Sequence, residues 1–328
     1  MTVRDEDASA STLARRLARV AGEGSWTLLK HTRVTVVRAG DVVVKAHPPG
    51  TDETALAARL RVAAGLPGVL LPPASPRVEH VGGRPVTVWP AGEPVDPGDP
   101  GAAPWEAAAG LLARLHAVPV DDLALPPAGG PARVARAVAL LDGLDGAYAA
   151  PAAVVREAFR TLPPDARPVP EGPARPAAPP PIVPSPRPPD GGVPPRARLT
   201  HGDWHLGQII RYQGEWLLID VDDLGVGVAA WDLARPAAWY ATGLLDPAAW
   251  DRFRGAYLAA GGSAVPAGDP WRELDVPARA LTVQLAATAV AAAGAEGRPL
   301  DEVERALVSS CGRITRTAAA QQGRLRPV

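Results

Sequence analysis

The chain has 328 residues, 34 basic and 35 acidic, for a net charge of −1, which leaves no electrostatic footprint for nucleic acid or an anionic membrane. At 47% hydrophobic and 21% charged, it can form one large or two modest domains with a packed core. Its one cysteine, Cys311, excludes an internal disulfide framework and reads as a small buried hydrophobe in a reducing compartment.

The first residues lack a basic stretch followed by an apolar run, so no signal peptide is expected. The weakly polar run at 285–294 is too short to span a bilayer. The expectation is therefore a cytoplasmic protein with no nucleic-acid or membrane partner, monomeric or homodimeric.

A short helix is expected over 11–21. Apolar, β-branched stretches at 26–30, 34–38 and 41–46 read as strands, with Ala39-Gly40 turning between the last two. A helix over 52–64 follows, with Asp52 at its N-terminus. Leu71-Pro72-Pro73 opens a loop, and further strands are expected at 77–79 and 84–88. Residues 1–88 thus read as a small antiparallel sheet with one helix, and Trp89-Pro90-Ala91-Gly92 begins a connection over 89–95.

Residues 96–328 read as a larger, mainly helical region. Helices are expected over 104–118 and 131–161, then over 237–244, 247–260, 277–293 and 301–321, with Gly261-Gly262 and Gly294 as punctuation. Proline dominates 162–198, a composition that suits neither helix nor interior strand. That segment reads as an extended, flexible surface insertion. The fold class is α+β.

The chemistry concentrates in 199–236, LTHGDWHLGQIIRYQGEWLLIDVDDLGVGVAAWDLARP. Two apolar runs flank Gln213-Gly214, a hairpin pattern. Closing the hairpin brings Gln208 and Asp220 to one end, near the loop carboxylate Asp203. Such hard oxygen donors suit Mg²⁺ carried on a phosphate.

His201-Gly202-Asp203-x-His205-x-x-Gln208, then Ile219-Asp220, then Asp232-Leu233-Ala234 resembles the catalytic core of the aminoglycoside phosphotransferase family, small-molecule kinases with a two-lobed, protein-kinase-like fold. Maltokinase-like and glucosamine kinase-like relatives are similar in having His205-Leu206-Gly207-Gln208. The resemblance implies ATP and Mg²⁺ as cofactors and a small-molecule hydroxyl as acceptor. Asp203 would orient that hydroxyl and take its proton, and Asp220 with Gln208 would hold Mg²⁺. His201, His205 and Asp232 would support the catalytic loop, Asp232 by accepting backbone N–H groups. Lys45 would meet the α- and β-phosphates.

Lysine is scarce, only Lys30 and Lys45 beside many arginines, so a retained lysine suggests a need for a compact ammonium. Glu53, Leu56, Ala57 and Leu60 share one helical face, which makes Glu53 the expected partner of Lys45. Residues 89–95 would be the hinge, with adenine held by a backbone donor at Trp89 or Ala91, since Pro90 has no N–H. His116 reads as a core or capping residue. Asp222 and Asp223 support metal, face a cationic acceptor or are solvated.

Two departures from the family pattern stand out. The turn His31-Thr32-Arg33 lacks the glycines that cover phosphates, and Val228 stands where a loop carboxylate is usual. The spacing from Asp220 to Asp232 leaves no room for the activation segment of a protein kinase, and no His/Cys cluster suggests a metal hydrolase. The acceptor reads as an aminoglycoside or other antibiotic, or an amino sugar, with Glu273, Asp275, Asp301, Glu302 and Glu304 offered as acidic contacts. The alternative is a nucleotide-binding pseudokinase or scaffold.

Overall fold

The structure, a computed structural model, describes residues 3–22, 24–96, 98, 101–168 and 197–324. In chain order its elements are α1 Val3–Ala21, β1 Trp26–His31, β2 Thr35–Ala39, β3 Val42–Ala46, α2 Glu53–Gly65, β4 Glu79–Val81, β5 Arg84–Pro90, β6 Glu93–Pro94 and α3 Trp105–His116. They continue with α4 Gly130–Ala139, α5 Gly146–Arg160, β7 Arg198–Thr200, β8 Ile209–Tyr212, β9 Glu215–Leu218, β10 Gly225–Gly227, α6 Ala230–Thr242, α7 Pro247–Ala259, α8 Trp271–Glu296 and α9 Glu302–Arg324.

The chain divides into two compact units. The first comprises Met1–Leu111, Asp122–Leu125 and Leu206–Asp222. Its main sheet is antiparallel in the order β1-β2-β3-β5-β4. Strand alternation divides β3 and β5 cleanly. Val44, Ala46, Val86 and Val88 pack with Val37 and with Ala14, Leu17 and Ala18 of α1. Lys45 and Thr87, paired in register, take the opposite face.

The hairpin β8–β9 turns at Gln213 (φ 50°) and Gly214 (φ 86°), both left-handed as a tight two-residue turn requires. It pairs with β6, and the Leu71 N–H donates to the Leu218 carbonyl at 2.8 Å. These bonds explain why a hairpin assigned by sequence to the helical region clusters instead with the sheet.

The second unit comprises Leu112–Asp121, Pro126–His205 and Asp223–Val328. Its core joins α4, α5, α8 and α9, with Val134, Leu141, Val155, Val283, Val290 and Cys311 among the buried members. The helix α8 is long and apolar enough by composition to cross a membrane, but Leu274, Leu281, Val283, Ala287 and Val290 are buried in the protein, which makes it a core helix. Both α6 and α8 begin earlier than the prolines at 236 and 277 suggest and run through them, so packing overrides the lost helical bond. The proline-rich stretch from 169 to 196 lies outside the described residues. Leu162 and Ala166 are buried in the helical core, so no surface insertion begins at 162.

Candidate active site

In the first unit, Lys45 ends β3 almost fully buried, and its Nζ lies 2.7 Å from Oδ1 of Asp220 and 2.8 Å from Oδ2 of Asp222. Burial alone lowers a lysine pKa; the two carboxylates more than reverse this and hold it above its ordinary value. Asp222 is the mirror case, with burial pushing its pKa up and Lys45 and His47 pulling it well below the usual carboxylate range.

The cluster extends along one face of the sheet. His47, two residues beyond Lys45, places Nδ1 3.5 Å from Asp222 and Nε2 2.9 Å from Oγ1 of Thr87. Thr87 in turn accepts the indole N–H of Trp89 at 2.9 Å. Asp220 has φ 63°, a left-handed backbone that aspartate tolerates better than most residues and that concentrates at functional sites. The amide Nε2 of Gln208 donates to Oδ2 of Asp220 at 3.3 Å.

Two expectations need correction here. Glu53 does not meet Lys45: it is exposed and lies 2.9 Å from Nε2 of His80. The buried face of α2 carries Leu56, Ala58, Leu60 and Ala63. Glu53 is the first residue after the Asp52 cap, whose carboxylate accepts the Ala55 N–H at 3.0 Å, and so stands at the solvated end of the helix. The Ala91 N–H is also committed, donating to the Asp41 carbonyl at 2.8 Å, while Trp89 remains inside β5 opposite Val43. In the 31–33 turn, the Thr32 N–H bonds to the Val34 carbonyl.

In the second unit, Asp232 near the start of α6 is fully buried and accepts the backbone N–H of His201 at 2.7 Å and of Gly202 at 2.9 Å. Nε2 of His116 lies 3.0 Å from the same carboxylate. The other ring nitrogen is 2.8 Å from the Tyr257 hydroxyl, which also accepts the Ala264 N–H at 3.1 Å. The ring thus bridges the Asp232 carboxylate and the Tyr257 hydroxyl. Burial raises the Tyr257 pKa to about 12, so its hydroxyl stays protonated.

Trp204 stacks on Phe253 with ring centroids 5.2 Å apart, which anchors the loop between His201 and His205. His201 is buried and His205 half-buried.

Asp203 is held by two arginines. Nη2 of Arg133 on α4 lies 2.6 Å from its Oδ2, and Nη2 of Arg235 on α6 lies 3.1 Å from its Oδ1. Arg133 also reaches Asp223 at 2.6 Å, and Arg136 approaches that residue at 3.6 Å. Burial raises the Asp203 pKa and outweighs the two guanidiniums that lower it.

Gly202 (φ 85°) and Gly129 permit this packing, because a Cβ would stand 2.2 Å from the Asp223 carbonyl oxygen at the first and 1.9 Å from its Oδ1 at the second. Three of the five acidic residues offered for a cationic acceptor have partners of their own. Asp275 pairs with Arg279, Glu304 with Arg298, and Asp301 and Glu304 exchange backbone bonds at the start of α9.

Sequence reading missed His47, Arg133 and Arg235. His47 is visible in retrospect from its i+2 spacing to Lys45 on a strand. The arginines carry no such signal.

A five-stranded antiparallel sheet with a buried lysine–carboxylate pair, followed by a helical unit whose loop carboxylate is held by a helix, defines a phosphotransferase of protein-kinase-like fold. The chain belongs to the phosphotransferase enzyme family (APH), whose sequence model matches residues 31–274. A search of curated proteins finds no match.

Among solved structures, a choline/ethanolamine kinase family protein from Mesorhizobium loti is similar at 18% identity, with 95% of this chain and 94% of that one covered and a TM-score of 0.56. Choline kinase LicA from Streptococcus pneumoniae is similar at 12% identity, 94% and 99% coverage and a TM-score of 0.57. A thermostable mutant of aminoglycoside phosphotransferase APH(4)-Ia, in complex with AMP-PNP and hygromycin B, is similar at 14% identity, 94% and 99% coverage and a TM-score of 0.55. At these identities the likeness is one of fold.

Proposed function

We propose that the protein transfers the γ-phosphoryl group of ATP to a hydroxyl of a small molecule in the cytoplasm. The observation that carries this reading is the buried Lys45–Asp220 pair, with Asp220 in a left-handed backbone conformation and Gln208 against it. Lys45 meets the α- and β-phosphates as a compact, permanently charged ammonium. The carboxylate of Asp220 and the amide oxygen of Gln208 are hard donors that fit Mg²⁺, which takes few protein ligands beside phosphates and water. When bound, the ion offsets the charge that builds on the phosphates during transfer.

Asp203 orients the acceptor hydroxyl and receives its proton. Asp232 keeps the Asp203 loop in shape by holding two of its amides, and His116 keeps Asp232 oriented. Aminoglycosides and amino sugars are the first acceptors to test, alongside neutral sugars and hydroxy acids. Transfer of labelled phosphate from ATP to one class, abolished in Asp203→Ala, establishes the activity; ATP that neither binds nor raises the Tm refutes it.

A second reading, a nucleotide-binding scaffold, draws on one observation: both Asp203 oxygens are engaged by guanidinium groups. ATP binding without transfer to any acceptor would favour it.

A further inference from the structure

We propose that His47 is a positioning residue for nucleotide binding: its imidazole aligns Asp222, and Asp222 fixes the Lys45 ammonium where it meets the phosphates. This role rests on the reading of Lys45 as the phosphate-binding lysine.

A lysine that serves phosphates needs a carboxylate that stays with it when the nucleotide binds. Among the described residues, Asp220 and Asp222 pair with Lys45. Asp220 is also the proposed donor to Mg²⁺, and Gln208 stands against it, so a lysine that relied on Asp220 alone would compete with the ion. Glu53 of α2 is turned to His80 in solvent. Asp222, with Oδ2 2.8 Å from Nζ, supplies the second carboxylate. One acid is thereby left to the ion and the other to the ammonium.

His47 reaches the same Asp222 oxygen and is built into the sheet on both sides. Strand alternation puts it on the face that carries Lys45, away from the face where Val44 and Ala46 enter the apolar core. Its backbone N–H donates to the Pro85 carbonyl at 2.8 Å, and its carbonyl accepts the Nε proton of Arg84 at 2.7 Å. Its ring lies between Oδ2 of Asp222, 3.5 Å from Nδ1, and Oγ1 of Thr87, 2.9 Å from Nε2. Thr87 stands opposite Lys45 in the ladder and takes the indole N–H of Trp89.

His47, Thr87 and Trp89 are all buried. A satisfied polar chain inside the protein rigidifies its members, and this one runs from β5 to the counter-ion of Lys45. A charged group held by a partner that is itself held keeps one geometry. The position of the ammonium is therefore set by the sheet.

The test measures dissociation constants by calorimetry in the full-length protein, for ATP with Mg²⁺, for ATP in EDTA and for adenosine. Two substitutions divide the ring. In His47→Asn the amide stands in for the Nδ1 edge that faces Asp222, and in His47→Gln it stands in for the Nε2 edge that faces Thr87. His47→Gln should bind ATP about tenfold more weakly, the effect of one lost contact to a charged group, with and without Mg²⁺. His47→Asn should stay within about threefold of wild type. Asp222→Asn breaks the same link from its other side and should repeat the His47→Gln pattern.

Adenosine carries no phosphate for Lys45, so its Kd should stay within about twofold of wild type in every variant, which also shows that the site is folded. Lys45→Met removes the group through which His47 acts, and adding His47→Gln to it should weaken ATP no further.

Equal losses for ATP and adenosine would mark a histidine that only supports the fold, and overturn the proposal. So would an unchanged ATP Kd in His47→Gln, a loss confined to ATP with Mg²⁺, a loss in His47→Asn as large as in His47→Gln, or a further loss in the double variant. The underlying reading is tested by Lys45→Met alone: ATP that binds this variant as tightly as wild type removes Lys45 from the phosphates. If Lys45→Met weakens ATP and His47→Gln does not, the role of His47 alone is wrong.

Discussion

Nζ of Lys45 lies 2.8 Å from Oδ2 of Asp222, two residues along the chain from the Asp220 it also contacts. The lysine is thus held between two carboxylates that follow the hairpin, and α2 has no part in it. Removing one partner of a buried charge leaves the other poorly compensated. Asp222→Asn is expected to cost about 1–3 kcal/mol of stability and to raise the KM for ATP more than it lowers kcat, measured by urea unfolding and steady-state kinetics. The folded-state pKa of Asp222 lies below its ordinary value. Its contribution is therefore present above the unfolded pKa of about 4 and is lost as pH falls through the folded value. Wild type should lose stability faster than Asp222→Asn as pH drops below about 5.

Glu53 yields the opposite expectation. Exposed and paired with His80, it belongs to a class of surface contacts worth about 0–1 kcal/mol. Glu53→Gln should leave the KM for ATP within about twofold of wild type and stability within about 0.5 kcal/mol. A tenfold loss of kcat/KM in this variant would show that α2 carries the lysine's working partner.

The folded-state pKa of Asp203 lies above the usual carboxylate range, chiefly because the residue is buried. In the proposed role of proton acceptor it must be ionised, so the acid limb of kcat/KM should fall above the ordinary carboxylate value of about 4. Arg235→Met removes one guanidinium that holds this pKa down and should move the limb to higher pH. A profile whose acid limb is identical in wild type and Arg235→Met would separate Asp203 from the titration.

Much of this arrangement can be read from the chain, and the failures have physical causes. The hairpin around Gln213-Gly214 is local, since turn chemistry and flanking apolar runs specify it together. The Asp52 cap is local for the same reason. Glu53 misled because helical periodicity assigns a face but not the solvated end of a helix, where an inward position can still turn to water. Arg133 meets Asp223 across 90 residues of sequence, and nothing in the composition of α4 distinguishes that arginine from its surface neighbours. Lys45 and Asp222 are likewise joined only by the fold.

Gly202 offers a test of how tightly the loop is built. A methyl group there would collide with the Asp223 carbonyl at 2.2 Å, in a left-handed backbone (φ 85°). Gly202→Ala combines backbone strain with overpacking, about 1–3 kcal/mol each. The variant should unfold at clearly lower denaturant and lose transfer activity, whereas Gly214→Ala, with open space around its Cβ, should show only the conformational part of that penalty.

Tyr257→Phe removes the hydroxyl that pairs with His116 and accepts from Ala264. A buried ring nitrogen and a backbone N–H lose their partner together, and about 1–3 kcal/mol is the expected cost for each group left unsatisfied. Thermal unfolding would report it, with activity per folded molecule changed much less than stability.

The packing of Cys311 among α5, α8 and α9 gives the second unit a built-in clock. The thiol is fully buried and burial pushes its pKa up to about 12, while the thiolate alone reacts readily. With no other cysteine in the chain, covalent labelling by a thiol reagent counts the openings of that helical core one molecule at a time. The rate in native buffer, compared with and without ATP, would measure how often that core opens in each state.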